Sequence, residues 1–186
     1  MKKITEFEKM VAGDLYDSND AELVAMRLAA RNWMTQYNAS TFDKALREQL
    51  LKKIFLTVGA NPDIQTPFFC DYGTQISIGD QFFSNFNCVF LDCNRIDIGN
   101  NVSLGPNVQI FTASHPLVAS ERIKGPEFAL PIRIENNVWI GGGAIICAGV
   151  TIGENTTIGA GSVVTKSIPS NVLAVGNPCR VLKSLL

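Results

Sequence analysis

The sequence predicts a mainly β protein, a parallel β-helix preceded by a small helical cap. Two patterns support this prediction: apolar residues recur every six positions over much of the chain after residue 74, and with helical spacing before residue 60. The length of 186 residues suits one domain with a small appendage. We therefore expect a helical cap over residues 1–60 and a β-helix over residues 61–186.

Two amphipathic helices are expected in the cap. The first spans residues 20–38. The second begins near Ser40, which makes a weak capping-box pair with Asp43, and continues to Val58. The apolar sides contain Leu23, Met26, Ala30, Trp33, Met34 and Tyr37 in the first helix, and Phe42, Leu46, Leu50, Ile54 and Val58 in the second.

The six-residue period is the most regular feature of the chain. A small or β-branched residue stands four positions after each apolar one, and glycine directly follows several of them. The apolar positions are Ile98, Leu104, Ile110, Ile134, Ile140, Ile146, Ile152, Ile158 and Val164. An earlier turn through Ile78 and Phe90 joins this series with its register displaced by two residues.

A period of six does not fit an α-helix, whose 3.6 residues per turn would carry the apolar side chains around the whole cylinder. If each hexad forms one short strand and one corner, three hexads close a triangular coil and stack their apolar side chains inside it. The glycines are then expected at corners where φ is positive. The alternative, an antiparallel β-sandwich, would instead show alternation with a period of two.

The repeat is interrupted at residues 116–133, a predicted loop with three prolines. His115, the single histidine, precedes this loop at the last position of a regular coil. A neutral imidazole can take a proton from a hydroxyl, which typically contributes about 10²- to 10⁴-fold in rate, so we expect His115 to be a general base. A β-helical carbonic anhydrase would need three histidine ligands for zinc, so no metal site is expected.

Composition and charge argue against several other functions. Sixteen Lys and Arg against seventeen Asp and Glu give a net charge of -1, which provides no general attraction for nucleic acid or an anionic membrane. We expect neither a signal peptide nor a membrane span. The five cysteines form no C-x-x-C pair, a pattern typical of buried thiols in a cytoplasmic protein rather than of disulfides or a zinc knuckle.

Seven segments are more specific than the repeat: AGDLYDSND, DYG, FFSNFNC, TASHPL, NNVWIGGGAIICAGVTIG, GAGSVVTK and NPCRV. Together they resemble the maltose and galactoside O-acetyltransferase family over nearly the whole chain. The resemblance implies a left-handed β-helix, acetyl-CoA as co-substrate and a sugar acceptor. It also implies direct transfer without an acyl-enzyme, and a homotrimer with active sites between subunits.

The resemblance further implies which residues form the acceptor site. His115 matches the catalytic base, and Asn85 matches an asparagine beside it, although Asn85 could instead be a corner residue with left-handed φ. Further candidates for acceptor binding are Asp17, Asp71, Asp92 and Cys93. Asp17 could alternatively be a helix-capping residue. Cys93 stands where the family commonly has an acid, and Asp71 stands where galactoside enzymes have serine, which favours maltose- or glucose-like acceptors.

The positions that match the acetyl-CoA site are Gly142, Ala160, Thr165, Lys166 and Arg180. Lys183 is expected as a further partner of the phosphates, and Trp139 could pack on the acyl group or the sugar. Small residues at 142 and 160 would let the pantetheine lie along the coil, and the cations would meet the phosphates. Trp139 could instead be buried under the loop. Two other functions remain as alternatives: acetylation of a different hydroxyl, in a galactoside, a lipo-oligosaccharide precursor or an antibiotic, and a non-catalytic scaffold.

Overall fold

The computed structural model describes residues 4–40 and 43–186. Three helices form the cap: α1 (Glu6–Ala12), α2 (Ala21–Ala39) and α3 (Lys44–Ile54). The helix predicted over residues 20–38 is confirmed as α2, with Asp20 as its N-cap. Helix α1 was not predicted separately; Thr5 and Glu8 begin it with a reciprocal capping box, and Gly13 ends it with a φ of +84°.

The second predicted helix needs two corrections. Asp43 caps α3 by accepting the N–H of Leu46, whereas Ser40 ends α2 as its C-cap, so the predicted Ser40 capping pair is wrong. The helix also ends at Ile54, and Val58 lies in the strand β1 (Thr57–Val58). Phe42 lies outside the described residues.

Three parallel sheets form the sides of a triangular solenoid. The first contains β1 (Thr57–Val58), β4 (Ile76–Ile78), β7 (Ile96–Ile98), β12 (Ile132–Ile134) and β15 (Thr151–Ile152). The second contains β2 (Asp63–Ile64), β5 (Phe83–Ser84), β8 (Ser103–Leu104), β13 (Trp139–Ile140), β16 (Thr157–Ile158), β18 (Val172–Val175) and the antiparallel β19 (Arg180–Ser184). The third contains β3 (Phe68–Cys70), β6 (Cys88–Leu91), β9 (Gln109–Phe111), β14 (Ile145–Ile146) and β17 (Val163–Val164).

The strand register confirms the predicted β-helix. Ile134 pairs with Ile152, so one coil takes 152 − 134 = 18 residues. Ile78 pairs with Ile98, a step of 98 − 78 = 20 residues, which is the predicted displacement by two. All nine predicted inward positions are buried, and Ile98 is the most exposed of them at 5%.

The sheets meet at three corners, which we number by the sheet that precedes each. The first corner comprises residues 59–62, 79–82, 99–102, 135–138, 153–156 and 169–171. The second corner comprises residues 65–67, 85–87, 105–108, 141–144 and 159–162. The third corner comprises residues 71–75, 92–95, 112–131, 147–150 and 165–167.

Asparagine, more than glycine, provides the positive φ values at the first corner. Asn101, Asn137, Asn155 and Asn171 have φ between 55° and 61°, and their amides form a ladder of hydrogen bonds of 2.8–3.0 Å. The glycines that follow the repeated isoleucines do not have positive φ, contrary to the prediction. They are needed because the coils stack closely: a Cβ on Gly141 would lie 2.5 Å from the next coil's backbone nitrogen.

Residues 112–131 leave the third corner and are named the excursion. The excursion contains β10 (Ala113–Ser114), α4 (Ala119–Arg122) and β11 (Phe128–Ala129), with β10 and β11 paired antiparallel. Ile132 and Arg133, predicted inside the loop, belong to β12. In the described ranges, no helix is long and apolar enough to cross a membrane.

Candidate active site

His115 follows β10 directly, and its side chain is exposed. The hairpin of β10 and β11 positions it, rather than a coil strand as predicted. Ala113 pairs with Ala129 and Ser114 with Phe128, which fixes the backbone up to the residue before the imidazole. The imidazole makes no hydrogen bond to any described residue, so its ring nitrogens are available to a ligand.

Asp71 and Cys93 lie together at the third corner. Asp71 is half-buried, and the Cys93 thiol donates to its Oδ2 at 3.5 Å. Burial raises the pKa of the Asp71 carboxyl, while the thiol and the Arg27 guanidinium act in the opposite direction. Burial also raises the pKa of Cys93, which therefore remains a thiol and a donor.

Asp92, predicted on the acceptor side, is fully buried at 0% exposure. Its Oδ1 accepts the N–H groups of Asp71 and Tyr72 at 3.1 and 2.8 Å, and its Oδ2 accepts that of Gln75 at 3.2 Å. Burial raises the pKa of Asp92 to about 7, although the hydrogen bonds from the backbone act to lower it. Direct contact with an acceptor is not available to this side chain; it fixes the corner that carries Asp71.

Tyr16 and Glu127 are two further residues near the site that the sequence did not indicate. The Tyr16 hydroxyl donates to Glu127 Oε2 at 2.8 Å, and the two backbones exchange hydrogen bonds of 2.9 and 3.1 Å. The adjacent Asp17 is exposed and accepts the N–H of Asn19 at 2.9 Å, and Asp20, not Asp17, caps α2. Asp17 lines a cavity of about 530 Å³ between the cap and the excursion. The only sequence signal for Glu127 was its place in the loop after the single histidine.

Asn85 lies at the second corner, away from the corner of His115. It is half-buried, and its Oδ1 accepts the N–H of Phe86 at 2.8 Å. Its φ is not positive; Asn87 is the residue with left-handed φ at this corner. The interpretation of Asn85 as a left-handed corner residue is therefore wrong.

The predicted acetyl-CoA positions are divided between two corners. Gly142 and Ala160 lie at the second corner, and a Cβ on Gly142 would come within 3.1 Å of Pro106, which explains the need for a small residue there. Thr165 and Lys166 lie at the third corner, where both are exposed.

The remaining donor positions belong to the second sheet. Both exposed cations lie on β19: Arg180 pairs with Val175 beside the second corner, and Lys183 pairs with Leu173 nearer the first corner. Trp139 on β13 is 58% exposed, so its interpretation as a residue buried under the loop is wrong. Small residues followed by exposed cations fit an extended thioester donor that ends in phosphates.

Four of the five cysteines are buried, and Cys147 is half-buried. Among residues 4–40 and 43–186, no group of three or more His, Cys, Asp and Glu side chains is arranged to hold a metal ion.

Comparisons with known proteins agree with this architecture. A family model described as the maltose acetyltransferase hexapeptide capping motif matches residues 9–59, and one described as bacterial transferase hexapeptide matches residues 131–166. A maltose O-acetyltransferase structure from Clostridium difficile 630 is 49% identical, with 98% of each chain covered and a TM-score of 0.96.

Two further proteins extend the comparison. A hexapeptide-repeat acetyltransferase from Vibrio cholerae O1 biovar eltor, solved with acetyl-CoA, is 40% identical over 98% of this chain and 99% of that one, with a TM-score of 0.91. The galactoside O-acetyltransferase of Escherichia coli K12 is 42% identical over 96% of this chain and 88% of its own length. This chain belongs to the maltose and galactoside O-acetyltransferase family of hexapeptide-repeat enzymes, with acetyl-CoA as co-substrate.

Proposed function

We propose that this acetyltransferase acetylates a hydroxyl of a sugar such as maltose or glucose, with His115 as the general base. The observation that carries the proposal is the surroundings of this imidazole. It is exposed on the excursion, which packs on the third corner through the buried cluster of Tyr16, Cys93 and Ala129. The Cys93 thiol in turn donates to Asp71. An exposed imidazole on a segment that packs on a corner carrying a hydrogen-bond-accepting carboxylate suits a polyhydroxylated acceptor.

In the proposed reaction, the acceptor hydroxyl attacks the thioester carbonyl while His115 takes its proton. The tetrahedral intermediate then expels the CoA thiolate, the carbon–sulfur bond breaks, and the imidazolium returns the proton to the sulfur. The negative charge that develops on the carbonyl oxygen requires nearby hydrogen-bond donors. The only proton carrier this scheme needs is the imidazole.

We further propose that each active site lies between two chains of a homotrimer. His115, Asp71, Thr165 and Lys166 belong to the third corner, whereas Asn85 and the small residues that would hold pantetheine belong to the second. Two corners of one triangular coil are separated by a full sheet, but a third corner can face the second corner of a neighbouring chain. This arrangement would unite both groups in one site.

The acceptor side combines Asp17 from the cap, Asp71 and Cys93 from the third corner, and Asn85 from the neighbouring chain. Carboxylates can accept hydrogen bonds from two vicinal hydroxyls, which favours sugars. Asp92 acts indirectly, because its carboxylate holds the backbone of residues 71, 72 and 75.

The test is the release of free thiol from acetyl-CoA with maltose, glucose and galactosides, compared among the wild type, His115→Ala and Leu117→Ala. Leu117 is 92% exposed on the same excursion and serves as the matched control. We expect thiol release with maltose or glucose that falls at least about 100-fold in His115→Ala and remains in the control. Equal rates in the wild type and His115→Ala would remove this histidine from the mechanism.

The alternatives give different results in the same assay. Release with another hydroxyl compound, but none with maltose or glucose, would assign a different acceptor. A scaffold would release no thiol with any acceptor and would bind no CoA in calorimetry.

A further inference from the structure

We propose that Tyr16 is a positioning residue for acetyl transfer, because it fixes the excursion that carries His115 relative to the corner that carries Asp71. Tyr16 is not expected to touch either substrate, since it is only 2% exposed. The inference rests on the proposed roles of His115 and Asp71.

The first part of the argument is the contact with the excursion. Tyr16 and Glu127 are joined by two backbone hydrogen bonds and by the bond from the phenol to the carboxylate. In the hairpin, Ser114 is paired with Phe128, so continuing the register by one step places His115 opposite Glu127. The cap segment at Tyr16 is thus one strand away from the backbone of the proposed base.

The second part is the contact with the coil. The Tyr16 side chain packs with Cys93, whose thiol donates to Asp71 at 3.5 Å. The ring is buried in a cluster with Tyr72, Cys93 and Ala129. Burial raises the pKa of Tyr16, so the hydroxyl keeps its proton and remains a donor.

One tyrosine side chain on the cap therefore joins the excursion to the third corner, by its hydroxyl on one side and its ring on the other. The His115 imidazole has no hydrogen bond to the residues that the structure describes, so its orientation depends on the hairpin and on what holds the hairpin in place. Catalysis is sensitive to displacements of about 1 Å in such groups. Through Tyr16, which does not contact the sugar, the cap therefore helps to set the position of His115.

The test compares Tyr16→Phe with Tyr37→Phe. Tyr37 is equally buried, at 0% exposure, but it donates to the Ile64 carbonyl of β2 at 2.8 Å and not to the excursion. We expect Tyr16→Phe to lower kcat/KM for the acceptor about tenfold while the Kd for CoA stays unchanged. Tyr37→Phe is expected to keep both values.

Glu127→Leu, which removes the acceptor of the phenol's bond, should cause a similar loss, and the double variant should lose no more than the larger single effect. Independently of activity, trypsin should cut at Arg122 or Lys124 several-fold faster in Tyr16→Phe than in Tyr37→Phe. The proposal is overturned if the two tyrosine variants behave alike in kinetics and proteolysis, or if Tyr16→Phe weakens CoA as much as the acceptor. A His115→Ala variant that kept its activity would instead refute the proposed base.

Discussion

The second and third corners are built from the same coil but have different properties. The second corner is regular, with small residues such as Gly142 and Ala160 stacked one coil above the next. The third corner is interrupted by the excursion and contains buried polar groups, including Asp92 and Asn94. A regular corner presents an even surface along which an extended ligand can bind, whereas an irregular corner can bring together the side chains needed for catalysis.

The largest expected effect comes from mixing two inactive chains. If His115 and Asn85 of one site come from different copies, His115→Ala and Asn85→Ala chains, assembled together at equal amounts, should form wild-type sites at about a quarter of the positions. Thiol-release activity should rise from background to about that fraction of the wild type.

The matched control for this experiment is a mixture of His115→Ala and Asp71→Ala chains. Both residues belong to the third corner, so neither chain can supply an intact third corner and activity should stay at background. Recovery in this control, or no recovery in the first mixture, would contradict the division of the site between corners.

A second prediction concerns the buried acid of the third corner. The pKa of Asp92 is about 7 in the folded protein, against 3.8 as its ordinary value. Between these values the folded chain holds a proton that the unfolded chain has lost, so stability falls as pH rises from about 4 to about 7. The loss should be roughly 2 to 4 kcal/mol, because one pKa unit corresponds to about 1.4 kcal/mol.

Urea unfolding of the wild type and Asp92→Asn at several pH values would measure this loss, since the variant lacks the titrating group. Asp80→Asn is the control, because Asp80 accepts one backbone N–H, that of Ala60, at the exposed first corner. Parallel stability curves for the wild type and Asp92→Asn would show that Asp92 does not titrate in this range.

The smallest expected effect tests whether acetyl-CoA contacts both corners. Lys166→Ala at the third corner and Arg180→Ala beside the second should each weaken CoA binding by about tenfold or less, with a weaker effect at high salt. Calorimetry would measure the Kd, and Lys52→Ala is the control because this ammonium bonds Glu48 at 2.7 Å on α3. A loss in only one of the two variants would assign the phosphates to one corner.

The sequence predicted the coils from Ile98 to Val164 well, because every inward position must be apolar and the period is constant. The first coil, residues 57–75, was not recognised in the sequence. Its strands pair with strands 20 residues later instead of 18, and the polar Ser84 occupies an inward position in the next coil. The role of glycine was also mistaken, since close approach of two coils leaves no mark in a single sequence.

The site was predictable only where it carries a local signal. His115 stands out as the single histidine before a proline-containing loop, whereas Tyr16 and Glu127 are 111 positions apart and meet only in the folded chain. Asp92 could not be distinguished from Asp71 by sequence. Only the fold buries Asp92 and brings three backbone N–H groups to its carboxylate.

The excursion leaves no gap in the solenoid. Strands β7 and β12 lie on either side of it in sequence, yet Ile98 pairs with Ile134 and the Gly99 N–H donates to the Ile134 carbonyl at 2.8 Å. The stacking of the coils therefore continues unbroken past this insertion. A solenoid can thus carry a long chemical loop at one corner while the register of its strands stays the same.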